Sequence, residues 1–173
     1  LRPSLSNYDP VTDSGILLQI LEDNDIAADA RRVAEVKEAF FLRLESFVAR
    51  HGPIAEVPGA KGVIRRLRHS DTHQVAIATG GWRRSAEIKL STAGFDIASV
   101  PLATSDDAIE RTAIMELALA AIGEEVASVT YFGDGQWDAQ ACKSLGWMFR
   151  PVGPAVAGIS SYDDEFAIKS SNT

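Results

Sequence analysis

The sequence predicts an α/β fold: an open, mostly parallel sheet preceded by a small helical unit. Two observations carry this. From Pro58 onward, short apolar segments alternate with helical segments that end at glycines, the pattern of successive βαβ units. Before Pro58 the periodicity is helical only, and Gly52, Pro53 and Pro58 mark a break between the two textures. Residues 1–55 are therefore assigned to the helical unit and 56–173 to the α/β core.

Each element has its own signal. GILLQILEDN carries apolar residues at helical spacing after the capping-type residues Thr12, Asp13 and Ser14. A second helix, from about Asp29 to Arg50, places Val33, Val36, Phe40, Leu44, Phe47 and Val48 mostly on one face. A helix is expected over Ala60–His69, then the apolar strand Gln74–Thr79, ending in Gly80-Gly81. The next helix runs from Trp82 to a stop at Gly94, followed by a strand at Ala98–Ala103 and a helix over Asp107–Ile122 that closes at Gly123. Val126–Gly133 contains a third strand, Gln136–Leu145 a helix ending at Gly146, and Trp147–Val152 a fourth strand. The polar tail SSYDDEFAIKSSNT is expected to fray.

Composition narrows the function. Hydrophobic residues at 46% and charged residues at 24% fit a globular chain. A net charge of −7 without basic runs argues against nucleic-acid and membrane-surface partners, and is compatible with a hard cation held by carboxylates. Cys142, the single cysteine, excludes an internal disulfide or a multi-cysteine zinc site and points to a reducing compartment, the cytoplasm. No apolar run approaches the ~18 residues of a membrane span. LRPSLSNYDP has no signal-peptide core, and the lack of an initiator Met leads us to expect a start in mid-sequence.

In open α/β sheets ligands bind outside the carboxyl ends of the strands, and three such ends carry chemistry. In YFGDGQWD, Asp134 follows the apolar strand at once and Asp138 stands in the first turn of the next helix, an arrangement suited to Mg²⁺. The competing reading is a helix cap and a first-turn carboxylate that complements the helix dipole. In AIATGGW, the Thr79 hydroxyl and the backbone amides of Gly80 and Gly81 at a helix start could hold a phosphate, or simply cap the helix. Arg111, in DDAIERTAIMELA, lies near a helix N-terminus, where a cation is slightly unfavourable; charge stabilisation of a phosphoryl group would explain it, and a solvated surface Arg is the alternative.

Taken together, hydroxyl, cation and GDxxxD at successive strand ends resemble motifs two, three and four of the haloacid dehalogenase superfamily. The resemblance covers Pro58–Pro151, and the preceding helical pair resembles that family's small cap. It implies a Rossmann-like core and a Mg²⁺-dependent hydrolase, most closely a phosphatase acting on a small phosphorylated metabolite through an aspartyl-phosphate. Thr79, Gly80 and Gly81 would bind the phosphoryl group, Arg111 would neutralise charge, and Asp134 and Asp138 would hold the metal. Arg111 departs from the family's usual Lys.

The family's first motif, an Asp-x-Asp pair after the first and central strand, supplies nucleophile and acid/base. No such pair follows a strand here. Asp23 and Asp25 close a helical run and read as a solvated helix end. We therefore expect the sequence to begin just after that motif, the chain alone to be inactive, and the neighbouring strands to be left with open inner edges unless another segment replaces the strand. A non-catalytic phosphate- or protein-binding module is the alternative, and a phosphomutase would use the same core. Tyr8, Asp9, Thr12 and Asp13 are placed near the substrate, with capping and turn formation as the plainer role. Trp82 reads as a buried anchor, His51, His69 and His73 as solvated loop residues, and Cys142 as a small core residue.

Overall fold

The structure is a computed structural model that describes residues 1–163; most of the tail expected to fray lies outside the described residues. Two helices come first, α1 (Asp13–Asp23) and α2 (Ala30–His51), each with a side-chain cap: Thr12 Oγ1 accepts from Gly15 N–H, and the Asp29 carboxylate from Arg32 N–H. Gly52, with φ at 85°, ends α2 in a backbone conformation that other residues avoid. The chain continues through α3 (Ala60–Arg68), β1 (Ile77–Ala78), α4 (Arg83–Thr92), β2 (Leu102–Ala103), α5 (Arg111–Ala120), β3 (Thr130–Gly133), α6 (Gln136–Leu145) and β4 (Met148–Pro151). No helix among the described residues is long and apolar enough to cross a membrane.

Among the described residues four strands form two separate parallel pairs instead of one sheet. In β1–α4–β2, Ile77 pairs with Leu102 and Ala78 with Ala103. In β3–α6–β4, Thr130 to Gly133 pair with Met148 to Pro151. Between β1 and β3 no ladder forms among the described residues; Tyr131 Oη donates to the Ala78 carbonyl over 3.0 Å, and Ala78 and Tyr131 pack in one apolar cluster. The strand expected over Gln74–Thr79 is paired only at two residues, because a strand with a ladder on one side has fewer bonds to hold it extended.

Helix α5 spans the two pairs. Ile114 and Ala118 pack with Ala103 beside β1 and β2, while Met115 packs with Ala141 and Cys142 of α6. This helix starts later than the Asp107 expected from the sequence. The Asp107 carboxylate turns back to accept from Thr104 N–H and Oγ1, both at 2.8 Å, and that turn occupies the residues ahead of Arg111. The N-terminal helices pack onto the core through one cluster in which Leu17, Leu21 and Phe41 surround Trp82. The rings of Phe40 and Phe41 meet that of Trp82 edge-on at 5.3 and 6.0 Å, and Arg84 of α4 bonds Glu38 and Glu45 of α2 at the surface.

Candidate active site

The carboxyl ends of β1 and β3 open onto a shared cavity of about 270 Å³. Ala78 and Thr79 form one wall, Tyr131 to Asp134 the facing wall, and Arg111 and Asp138 project into it from the first turns of α5 and α6. Val57, Val152 and Tyr162 complete the lining.

Arg111 is the best-anchored group of the site. Its Nη2 donates to the Val11 carbonyl over 2.7 Å, and its Nη1 stands 3.1 Å from Asp138 Oδ1, with the side chains only 15% and 3% exposed. The approach to Asp138 lies off the N–H axis, so the two are joined by charge without a hydrogen bond; Arg111 Nε and Asp138 Oδ1 are buried polar atoms without a hydrogen-bond partner among the described residues. Close approach of backbone makes this possible. A Cβ on Gly80 would stand 2.5 Å from Arg111 Nη2, and one on Gly133 2.6 Å from Asp138 Oδ2. Asp138 Oδ2 accepts from Gly135 N–H over 3.1 Å, closing the first turn of α6. Burial holds the Asp138 carboxyl above the usual carboxylate range, with Arg111 opposing. Burial, and then the Asp138 charge, raise the Tyr131 phenol, which therefore stays a donor to Ala78.

The turn after β1 is tightly committed. Thr79 Oγ1, on the cavity wall, accepts from Gly81 N–H over 3.1 Å; Trp82 N–H donates to Asp13 Oδ2 over 3.0 Å; Asp13 N–H donates to the Gly80 carbonyl over 2.7 Å. The Gly81 amide, expected at a phosphate, thus has an internal acceptor. Thr12 and Asp13, expected at the substrate, do not line the cavity: Thr12 is 2% exposed and donates to the Ile109 carbonyl over 2.9 Å, while Asp13 bonds the α4 start. Tyr8 is buried beneath Arg2, whose backbone N–H donates to the phenol oxygen over 2.9 Å. Trp82 is the buried anchor expected, and Cys142, 1% exposed, the core residue; His51, His69 and His73 are exposed.

Several lining residues escaped the sequence reading, Tyr131, Val57 and Tyr162 among them. Tyr131 looked like any strand aromatic, Val57 like part of a linker, and Tyr162 like part of a polar tail. Tyr162 reaches the cavity because its N–H donates to the Pro58 carbonyl over 2.8 Å and its ring leans on Phe132 at 5.4 Å. Among the described residues no cluster of three or more His, Cys, Asp or Glu is placed to hold a metal; the cavity offers the two carboxylates Asp134 and Asp138.

The chain has counterparts among known proteins. The family profile of the haloacid dehalogenase-like hydrolases matches residues 11–146. The chain belongs to the haloacid dehalogenase-like hydrolases. The fold agrees: a solved structure described as a hydrolase from Pseudomonas syringae superposes with a TM-score of 0.64 at 21% identity, covering 82% of this chain. The chain spans 64% of that protein's length. No curated protein shows significant similarity to the chain.

Proposed function

We propose that these residues form the phosphoryl- and metal-binding part of a Mg²⁺-dependent phosphomonoester hydrolase that works through an aspartyl-phosphate. The observation that carries this reading is the Arg111 guanidinium, buried with an unused Nε–H at a cavity it shares with Thr79, Asp134 and Asp138. A buried cation with an open donor fits an anionic ligand. The residues also fit Mg²⁺, which is held by one or two carboxylates together with waters and substrate phosphate oxygens: Asp134 and Asp138 stand together at the cavity, the second paired with Arg111. Bound there, Mg²⁺ would neutralise phosphoryl charge. Asp134 would be its direct ligand, since Asp138 is already shared with Arg111 and the Gly135 amide. Thr79 Oγ1 and Arg111 would orient the phosphoryl oxygens.

The nucleophile of this reading is an Asp-x-Asp at the end of a strand seated between β1 and β3, where the described residues form no ladder. Such a strand would pair with both and displace the Tyr131–Ala78 bond as the link between them. The helices α1 and α2 would act as the substrate-selecting cap.

The experiment is phosphate release from p-nitrophenyl phosphate, with Mg²⁺ and with EDTA. The 173 residues alone are expected to release none; a form that carries an Asp-x-Asp strand ahead of Leu1 is expected to turn over with Mg²⁺ only, and Asp134→Asn in that form to abolish turnover. A folded form with that strand and no turnover would favour a non-catalytic phosphate- or protein-binding module instead.

A further inference from the structure

Residues 11–14 leave the N-terminal segment and bond two core connections, β1–α4 and β2–α5 with the first residue of α5. The Val11 carbonyl accepts from Arg111, the Thr12 hydroxyl donates to the Ile109 carbonyl, and Ser14 Oγ donates to the Ser105 carbonyl over 2.7 Å while accepting from Trp82 Nε1 over 3.0 Å. Asp13 makes the central pair of contacts, its N–H to the Gly80 carbonyl and its carboxylate to Trp82 N–H. Helix α4 has no side-chain cap from its own N-cap residue, Trp82. The first amides of a helix need acceptors, and here they come from elsewhere in the chain: Asp13 for Trp82, and Asp106 for Arg83 over 2.8 Å.

We infer that Asp13 is a positioning residue of the phosphoryl site, holding the Gly80–Trp82 turn in the conformation that presents Thr79 and Arg111 to the cavity. The inference rests on the reading that Thr79 and Arg111 take a phosphoryl group. It replaces a substrate contact for Asp13 with an indirect one. The anion that would otherwise suit the α4 start is supplied by the protein itself, so the ligand's oxygens fall to the Thr79 hydroxyl and the Arg111 guanidinium. Asp13 acts through geometry: Gly80 is the residue against which Arg111 is packed, and Gly81 donates to Thr79 Oγ1, so releasing the turn moves both groups.

The test uses the 173-residue chain labelled with ¹⁵N, amide hydrogen exchange, and titration with inorganic phosphate. In Asp13→Ala the Trp82 amide is expected to exchange about ten-fold faster while Met115 in α5 keeps its rate. Phosphate affinity is expected to fall about five-fold, the effect of one lost hydrogen bond. Asp13→Asn keeps an oxygen acceptor and is expected to restore both values. Unchanged exchange at Trp82 in Asp13→Ala would overturn the inference, and so would equal losses of affinity in the Ala and Asn variants, which would make the charge and not the position the cause. Should Asp13→Ala not fold, Asp13→Ser, whose hydroxyl is set back from the Trp82 amide, serves the same comparison. A wild-type chain that binds no phosphate would sink the phosphoryl reading, while the exchange rates would still decide whether Asp13 holds the turn.

Discussion

Replacing Tyr131 with Phe removes one oxygen atom and, with it, the bond between the two strand pairs. The bond is 3.0 Å long and part-buried, and the ring's packing against the Met115–Ala141–Cys142 cluster stays in place. A hydrogen bond of this kind contributes about 1 kcal/mol net, and leaving the Ala78 carbonyl without its donor raises the loss towards about 2 kcal/mol. For a chain of this size each kcal/mol moves the melting temperature by about 2–4 °C, so Tyr131→Phe is expected to melt roughly 2–8 °C lower. Urea unfolding followed by tryptophan fluorescence gives the free energy directly, with an unchanged slope showing that the folded and unfolded states are otherwise the same. The pH dependence adds a second check. Burial, reinforced by Asp138, holds the phenol of the folded protein above its ordinary value, whereas the unfolded phenol titrates near pH 10. The unfolded chain therefore loses its proton first, and the stability that the phenol contributes is complete below about pH 10 and declines above it. The difference between wild type and Tyr131→Phe should narrow as pH rises past about 10. Equal midpoints at neutral pH, or a difference that stays constant up to about pH 11, would refute the argument.

Other consequences follow from the same contacts. Arg111→Met leaves the Val11 carbonyl without its donor and the buried Asp138 carboxylate without its countercharge, and is expected to cost about 3–5 kcal/mol in urea unfolding. Because Arg111 opposes the upward push of burial on Asp138, its removal raises that carboxyl further, so the loss should be smaller near pH 4 than at pH 7. Trp82→Ala empties the cluster formed with Leu17, Leu21 and Phe41 and should cost about 3–5 kcal/mol. A loss under about 1 kcal/mol would show that the N-terminal helices do not rest on this ring. Burial pushes the Cys142 thiol up to about 11, so at neutral pH a disulfide reagent should label it no faster than the protein opens; rapid labelling of the folded chain would contradict its burial.

The order of elements was legible because several helices announced their ends: Thr12 among the capping residues before α1, Gly52 in the break after α2, and Gly94, Gly123 and Gly146 as stops. The site was legible in Thr79, Arg111, Asp134 and Asp138, since strand–turn–helix patterns put residues at strand ends whatever the rest of the fold does. Strand length was not legible. QVAIAT is apolar enough for six extended residues, but pairing decides how many become strand, and pairing depends on a neighbour that lies elsewhere in the chain. The parts of Thr12 and Asp13 were hidden for a related reason. Their capping chemistry is local and was read from the sequence, but their acceptors and donors, Ile109, Gly80 and Trp82, are brought to them only by the packing of α1 against the core. Tyr162 became part of the cavity through a backbone bond to Pro58, which no side-chain pattern encodes.

Helix α5 gives the molecule a particular route of assembly. Each strand pair closes through its own crossover helix, so β1–α4–β2 and β3–α6–β4 are units of short sequence separation that can form early and alone. Beside the Tyr131–Ala78 contact, what joins them is a splint ten residues long, with Ile114 and Ala118 towards one half and Met115 towards the other. Much of the coupling between the halves therefore runs through the two sides of one helix. A polar substitution at Met115 would weaken the side of the splint that faces α6, and the β3–α6–β4 half is expected to open before the other.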